Sequence, residues 1–197
     1  MKRMNHTHVI VSYSHCNFNS RTTLKISKHK LFAKLSKCSF GLQQVYYLGH
    51  NVSGLGVAIN KNKVQAVLDW PCPKNLKQLR GFLGFTIYYR RFIKQYAMVA
   101  ALLANLLKKD NFKWDDFAHA SFAALKIVVT QAPILALPDF SKPFVLETNA
   151  LGMGIGAVLN QDHHLVTFFS KKLTASMQKQ SAYTREFYAH YKKNANF

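Results

Sequence analysis

The sequence predicts an α+β fold in three successive parts: a β-hairpin, a helical module, and a terminal β-β-β-α unit. Three observations carry this. Residues 44–59 hold two apolar, β-prone runs separated by Ser53-Gly54-Leu55-Gly56. Residues 75–130 carry apolar residues at helical spacing, opened by Trp70-Pro71-Cys72-Pro73, which no helix can run through. Residues 142–161, KPFVLETNALGMGIGAVLNQ, read as strand, tight turn and strand, with glycine at 152, 154 and 156.

Taken in order, Val9–Ser14 is a short β-like run, and 22–37 has helical spacing through Leu24, Leu31, Phe32 and Leu35. Gln44–Val52 reads as one strand and Val57–Ile59 as its return. Asn60 caps a helix running through Val64, Val67 and Leu68 to Trp70. The two prolines then mark a boundary after residue 70. Asn75 caps a helix with Leu76, Leu79, Phe82 and Leu83 on one stripe. Ile87–Tyr96 and Met98–Lys108 form two more helices, the second ending in lysines that suit the helix dipole. Asp110–Asn111 is a turn. Asp115 or Asp116 caps a helix through Phe117, Phe122, Leu125 and Val128. Pro133 and Pro138 bracket an extended linker. A strand then ends at Asn149, a second runs through Ile155–Leu159, a third spans His164–Ser170, and Tyr183 to about Lys193 is the last helix. Such a unit leaves a sheet edge uncovered.

Charge is the strongest global signal. The 197 residues hold 27 Lys and Arg against 8 Asp and Glu, a formal net charge of +19. That balance favours a polyanionic partner, most often nucleic acid. Asp69 is the first acid in the chain. No apolar run is long enough to span a membrane and no signal peptide opens the chain, so an intracellular protein is expected, in cytoplasm or nucleus. Cys16, Cys38 and Cys72 are odd in number and lack zinc-site spacing, which fits reduced thiols.

Two constellations carry possible chemistry. Residues 74–96 interleave Lys74, Lys77, Arg80, Arg90, Arg91 and Lys94 with Phe82, Phe85, Tyr88, Tyr89, Phe92 and Tyr96. Basic side chains neutralise phosphates and aromatic ones pack on sugars or bases, although the same aromatics also suit a core. Lys77, Gly81 and Phe85 share one helix face. Gly81 costs a helix about 1 kcal/mol against Ala, and close approach by another backbone would explain it. The second constellation is Asn149, Asp162 and Glu186. A hydrolase using two metal ions needs anionic oxygens, and Asn149 is neutral. Asp162 and the adjacent His163 and His164 read more readily as a polar turn than as metal ligands.

Over residues 31–190 the chain resembles the Pol polyprotein of LTR retrotransposons of the Ty3/gypsy class. The resemblance is carried by KLSKCSFG, VYYLGHNVS, WPCPKNLKQLRGFLGFTIYYRRFIK, LANLLKKDNFKWDD, APILALPDFSKPFVLET, GIGAVLNQ and FFSKKL in one collinear order. It implies a remnant of the reverse transcriptase palm with a primer-grip-like hairpin over 1–70, a helical thumb over 71–130, a tether over 131–141, and a partial ribonuclease H-like domain over 142–197. It implies that Leu48, Gly49 and His50 sit where the family grips the primer end. It also implies that the helix from Asn75 follows the template–primer, with Lys77, Arg80, Gly81, Phe85, Arg90 and Arg91 as nucleic-acid contacts.

The family activities are RNA-directed DNA synthesis and cleavage of RNA–DNA hybrids with Mg²⁺. The chain departs from the residues that perform them. The polymerase aspartates fall, without gaps, on His8 and Val9, and the family's Thr-Asp-Ala-Ser is Thr148-Asn149-Ala150-Leu151. Glu186 matches the family glutamate of the last helix. One carboxylate beside an amide implies weak binding of a single ion at best. The expectation is a Pol fragment that catalyses neither reaction. The alternative is a basic, non-catalytic protein that binds template–primer.

Overall fold

The computed structural model describes residues 42–108 and 112–193. The run Val9–Ser14, the helix over 22–37 and the turn Asp110–Asn111 lie outside the described residues.

The first sheet is a three-stranded antiparallel meander of β1 (Gln44–Tyr47), β2 (His50–Ser53) and β3 (Gly56–Ile59). The single strand expected over Gln44–Val52 is broken in two. Leu48 (φ 46°) and Gly49 (φ 81°) form a two-residue turn between the paired Tyr47 and His50. Positive φ at both positions makes it the tight turn whose twist matches the flanking strands.

Asn60 caps α1 (Lys61–Leu68), its side chain accepting from the Asn62 N–H. Asn75 caps α2 (Leu76–Tyr88) in the same way, accepting from Gln78. The expected stripe is the core: Leu79 and Phe82 are fully buried, with Leu83 close behind. The helix expected over Ile87–Tyr96 does not form. Instead α2 ends at Tyr88, a 3-10 turn spans Arg90–Phe92, and Gln95 takes a left-handed conformation (φ 55°) that starts a new element. Met98–Lys108 is likewise not one helix but α3 (Tyr96–Val99) and α4 (Ala101–Asn105), hinged at Ala100. Ala-rich, Leu-rich composition favours helix throughout this stretch, and burying Tyr96, Ala100 and Leu103 against α2 and α5 overrides it. Asp115 caps α5 (Asp116–Thr130) by accepting from the Ala118 N–H. Its buried stripe is Ala118, Phe122, Leu125 and Val129, so Phe117 is 73% exposed and not part of it.

The second sheet is also antiparallel: β4 (Val145–Leu151), β5 (Gly154–Gln161) and β6 (His164–Lys172). Asn149 therefore stands inside β4, opposite Gly156, and not at its end. A short α6 (Ala175–Gln178) precedes α7 (Ala182–Lys193). Ala189 of α7 packs with Ile155 and Ala150 on one face of this sheet. The other face receives the helical module: the Ala97 N–H donates to Ser170 Oγ at 2.9 Å. A Cβ at Gly154 would collide with the Met98 side chain. The missing side chain at Gly154 thus serves an intramolecular contact.

The linker is extended but tied down. Leu135 exchanges both backbone hydrogen bonds with Val57 of β3, at 2.7 and 2.8 Å, and the Ala136 N–H donates to the Leu165 carbonyl of β6. It stitches the two sheets together. No helix among the described residues is long and apolar enough to cross a membrane.

Candidate functional site

The exposed face of α2 is built by exclusion. Leu79, Phe82, Leu83 and Thr86 turn inward, which leaves Lys77, Arg80, Gly81 and Gly84 facing water. Neither glycine is required by the fold. A Cβ at Gly81 would meet only the Trp70 ring at an ordinary 3.8 Å, and one at Gly84 would meet nothing within 4 Å. Two exposed glycines inside a helix cost about 1 kcal/mol each relative to alanine. They also make the helix surface shallow just beyond Lys77 and Arg80.

Trp70 forms the floor beside this face. Its ring lies 5.5 Å from Phe85 and 5.8 Å from Phe82. Lys126 fixes it from α5, with Nζ donating to the carbonyls of Leu68 and Trp70 at 2.7 and 2.6 Å. Phe85 is half-buried between Trp70 and Tyr89, with Lys63 Nζ 5.9 Å from its ring centre. It supports the face more than it forms it.

The β1–β2 turn is held at the C-terminal end of α2. The Tyr88 hydroxyl donates to the Leu48 carbonyl at 2.8 Å, and the Tyr89 hydroxyl lies 3.4 Å from the Gly49 carbonyl. Leu48 itself is 61% exposed. His50 is stacked between Tyr88 (5.3 Å) and Phe92 (5.4 Å), with Tyr89 edge-on. Burial lowers its pKa below the usual histidine value. Its imidazole is an interior wedge, so of the expected trio Leu48 is the one whose side chain is presented outward. Tyr88 and Tyr89 were not singled out by spacing as supports of that turn. Arg90 and Arg91 are exposed on the 3-10 turn just beyond them.

The carboxylate constellation is dispersed. Strict pairing of β4 with β5 puts Glu147, Asn149 and Gly156 on one row. Ala150 lies on the opposite row, under α7. Glu186 is exposed on α7, and Asn149 is exposed on β4. Asp162 is engaged elsewhere: Lys142 Nζ donates to it at 2.8 Å, which raises the lysine's pKa. His164 Nδ1 lies 2.7 Å from the Asp162 backbone carbonyl. Among the described residues no three His, Cys, Asp or Glu gather where they could hold a metal ion.

A family model described as an RNase H-like domain found in reverse transcriptase matches residues 114–197. The mitochondrial protein AtMg00860 of Arabidopsis thaliana is 49% identical over 120 residues, covering 60% of this chain and 76% of that protein. The retrovirus-related Pol polyprotein from transposon 297 of Drosophila melanogaster is 37% identical over 179 residues, 89% of this chain. The Tf2-3 transposon polyprotein of Schizosaccharomyces pombe is 34% identical over 171 residues, 84% of this chain. The chain spans 17% and 13% of those two polyproteins. A foamy viral protease-reverse transcriptase, solved in complex with RNA/DNA hybrid, superposes with a TM-score of 0.82. It is 18% identical, over 93% of this chain and 26% of that one. The α+β fold thus matches the corresponding part of the foamy viral reverse transcriptase structure, with an RNase H-like domain at its C-terminal end.

Proposed function

The chain belongs to the retrotransposon Pol family, as a fragment of its reverse transcriptase and RNase H-like region, and from that premise we propose that it grips duplex nucleic acid along α2 without extending or cutting it. Within the family we place it in the Ty3/gypsy class, on the strings given above. The observation that carries the binding role is the face of α2. Lys77 and Arg80 are followed on this exposed surface by two glycines, Gly81 and Gly84, that no internal contact requires. A shallow, cationic helix face suits close approach to a phosphate backbone. The turn at Leu48 and Gly49, held by Tyr88 and Tyr89, extends the same end of the surface.

The family's Mg²⁺ chemistry does not fit the residues present. Two divalent ions about 4 Å apart require several anionic oxygens. The position that resembles the family aspartate holds the neutral amide of Asn149, and Glu186 is the one family carboxylate carried over. Residues 1–68 contain no acid to serve a polymerase centre. This donor set supports the reading of binding over catalysis for these residues.

Anisotropy titrations of a blunt DNA duplex and an RNA–DNA hybrid test the reading. Log affinity should fall linearly with log salt. Lys77→Glu with Arg80→Glu should weaken binding about tenfold more than Lys171→Glu with Lys172→Glu. Equal losses would reduce the interaction to generic polycation binding and overturn the α2 assignment. Mg²⁺- or Mn²⁺-dependent hybrid cleavage that disappears on Glu186→Gln would overturn the non-catalytic part.

A further inference from the structure

A cavity of about 820 Å³ opens where hairpin, helical module, linker and second sheet meet. That is the size range of small-ligand and nucleotide sites. Its walls are aromatic: Tyr88, Phe140, Phe144 and Phe168 contribute rings, and the guanidinium-bearing Arg90 and Arg91 stand among the lining residues. No Asp or Glu is among the described residues that line it. His50 also lines it, and its buried Nδ1 has no hydrogen-bond partner within the fold. Phe140 is 86% exposed beside this opening, with the Phe144 ring 6.0 Å away. Aromatic faces, two exposed guanidinium groups and one unsatisfied polar nitrogen form a complementary set for a flat ring carrying an anionic group.

We propose that this cavity takes unpaired nucleotides, with Phe140 and Phe144 stacking on bases and Arg90 and Arg91 on phosphates. The inference rests on the nucleic-acid reading above and deepens it, because it gives the protein a single-strand site separate from the α2 face. Bases in a duplex are already stacked and paired, so only an unpaired base can lay its face on these rings. Guanidinium groups serve both phosphate pairing and ring stacking. The shared chemistry is a base with a phosphate, met either in a free mononucleotide or in a single-stranded end.

The test uses the full chain with a fluorescein-labelled oligothymidylate and, separately, a blunt duplex. Phe140→Ala should weaken the oligonucleotide about fivefold or more, as loss of one stacked base does, and leave the duplex within about twofold. Arg90→Glu with Arg91→Glu should weaken the oligonucleotide about tenfold or more. Competition with thymidine monophosphate separates the two sources: displacement means free nucleotides enter, and none means a strand is required. An oligonucleotide affinity unmoved by Phe140→Ala would overturn the proposal, as would equal losses on both probes. Phe140 lies outside both hydrophobic cores, so its truncation does not threaten folding. Oligonucleotide binding that persists while duplex binding is absent would sink the α2 reading and leave this one standing.

Discussion

The Tyr88 hydroxyl and the Leu48 carbonyl are joined by a 2.8 Å hydrogen bond across forty residues of chain. It ties the exposed β1–β2 turn to the end of α2. Leu48 holds φ 46°, a conformation that costs a non-glycine residue about 1–2 kcal/mol. The tyrosine helps to retain it.

Removing that hydroxyl should loosen the turn. Tyr88→Phe is expected to cost about 0.5–1 kcal/mol in urea unfolding, the net worth of a partly exposed hydrogen bond. Leu48→Gly relieves the strain and should recover about 0.5–1 kcal/mol in the Tyr88→Phe background. A Leu48→Gly variant that destabilises both backgrounds would mean that the turn is not strained.

Met98 and Gly154 fix the helical module on the second sheet. Gly154→Ala forces a Cβ into the Met98 side chain and within 3.0 Å of the Lys171 carbonyl. The expected loss is about 2 kcal/mol, in the middle of the range for a single overpacking change. Met98→Ala should relieve part of it, giving a coupling of about 1 kcal/mol in a double-mutant cycle. Additive losses would show that the two side chains do not oppose each other.

His50 makes stability depend on pH. Its folded pKa is lowered by burial among Tyr88, Tyr89 and Phe92. The unfolded state therefore binds a proton first, and stability rises with pH across this window. The contribution is full above the ordinary histidine value of 6.5 and is lost as pH falls from there toward the lowered folded value. The melting temperature of the wild type should fall between pH 7 and pH 5 more steeply than that of His50→Gln. Parallel profiles would place the titration on other groups.

Much of this was legible in the sequence, and the misses share a cause. Asn60, Asn75 and Asp115 cap their helices as their side-chain chemistry dictates, because capping is local. The Leu79–Phe82–Leu83 stripe is the core because helical spacing alone places it on one face. The break at Leu48–Gly49 was hidden because leucine is a poor marker of positive φ, and contacts distant in sequence, from Tyr88, Tyr89 and the Asn60 N–H, help sustain it. The split between α3 and α4 was hidden because alanine and leucine favour helix wherever they stand. Gly154 read only as part of a glycine-patterned strand and turn, because the group that fills the space beside it, Met98, lies far away in sequence. Gly81 did stand out, since glycine inside a helix is unfavourable locally and nothing inside the fold requires it; Gly84, equally exposed, was not singled out.

Those glycines give the most direct test of the account. Gly81→Ala with Gly84→Ala should raise stability by about 1–2 kcal/mol, because both sites are exposed and alanine favours helix. The same double variant should bind an RNA–DNA hybrid about tenfold more weakly, since two methyl groups would stand between the helix backbone and the duplex. Affinity that stays level, or rises with stability, would contradict duplex binding along α2.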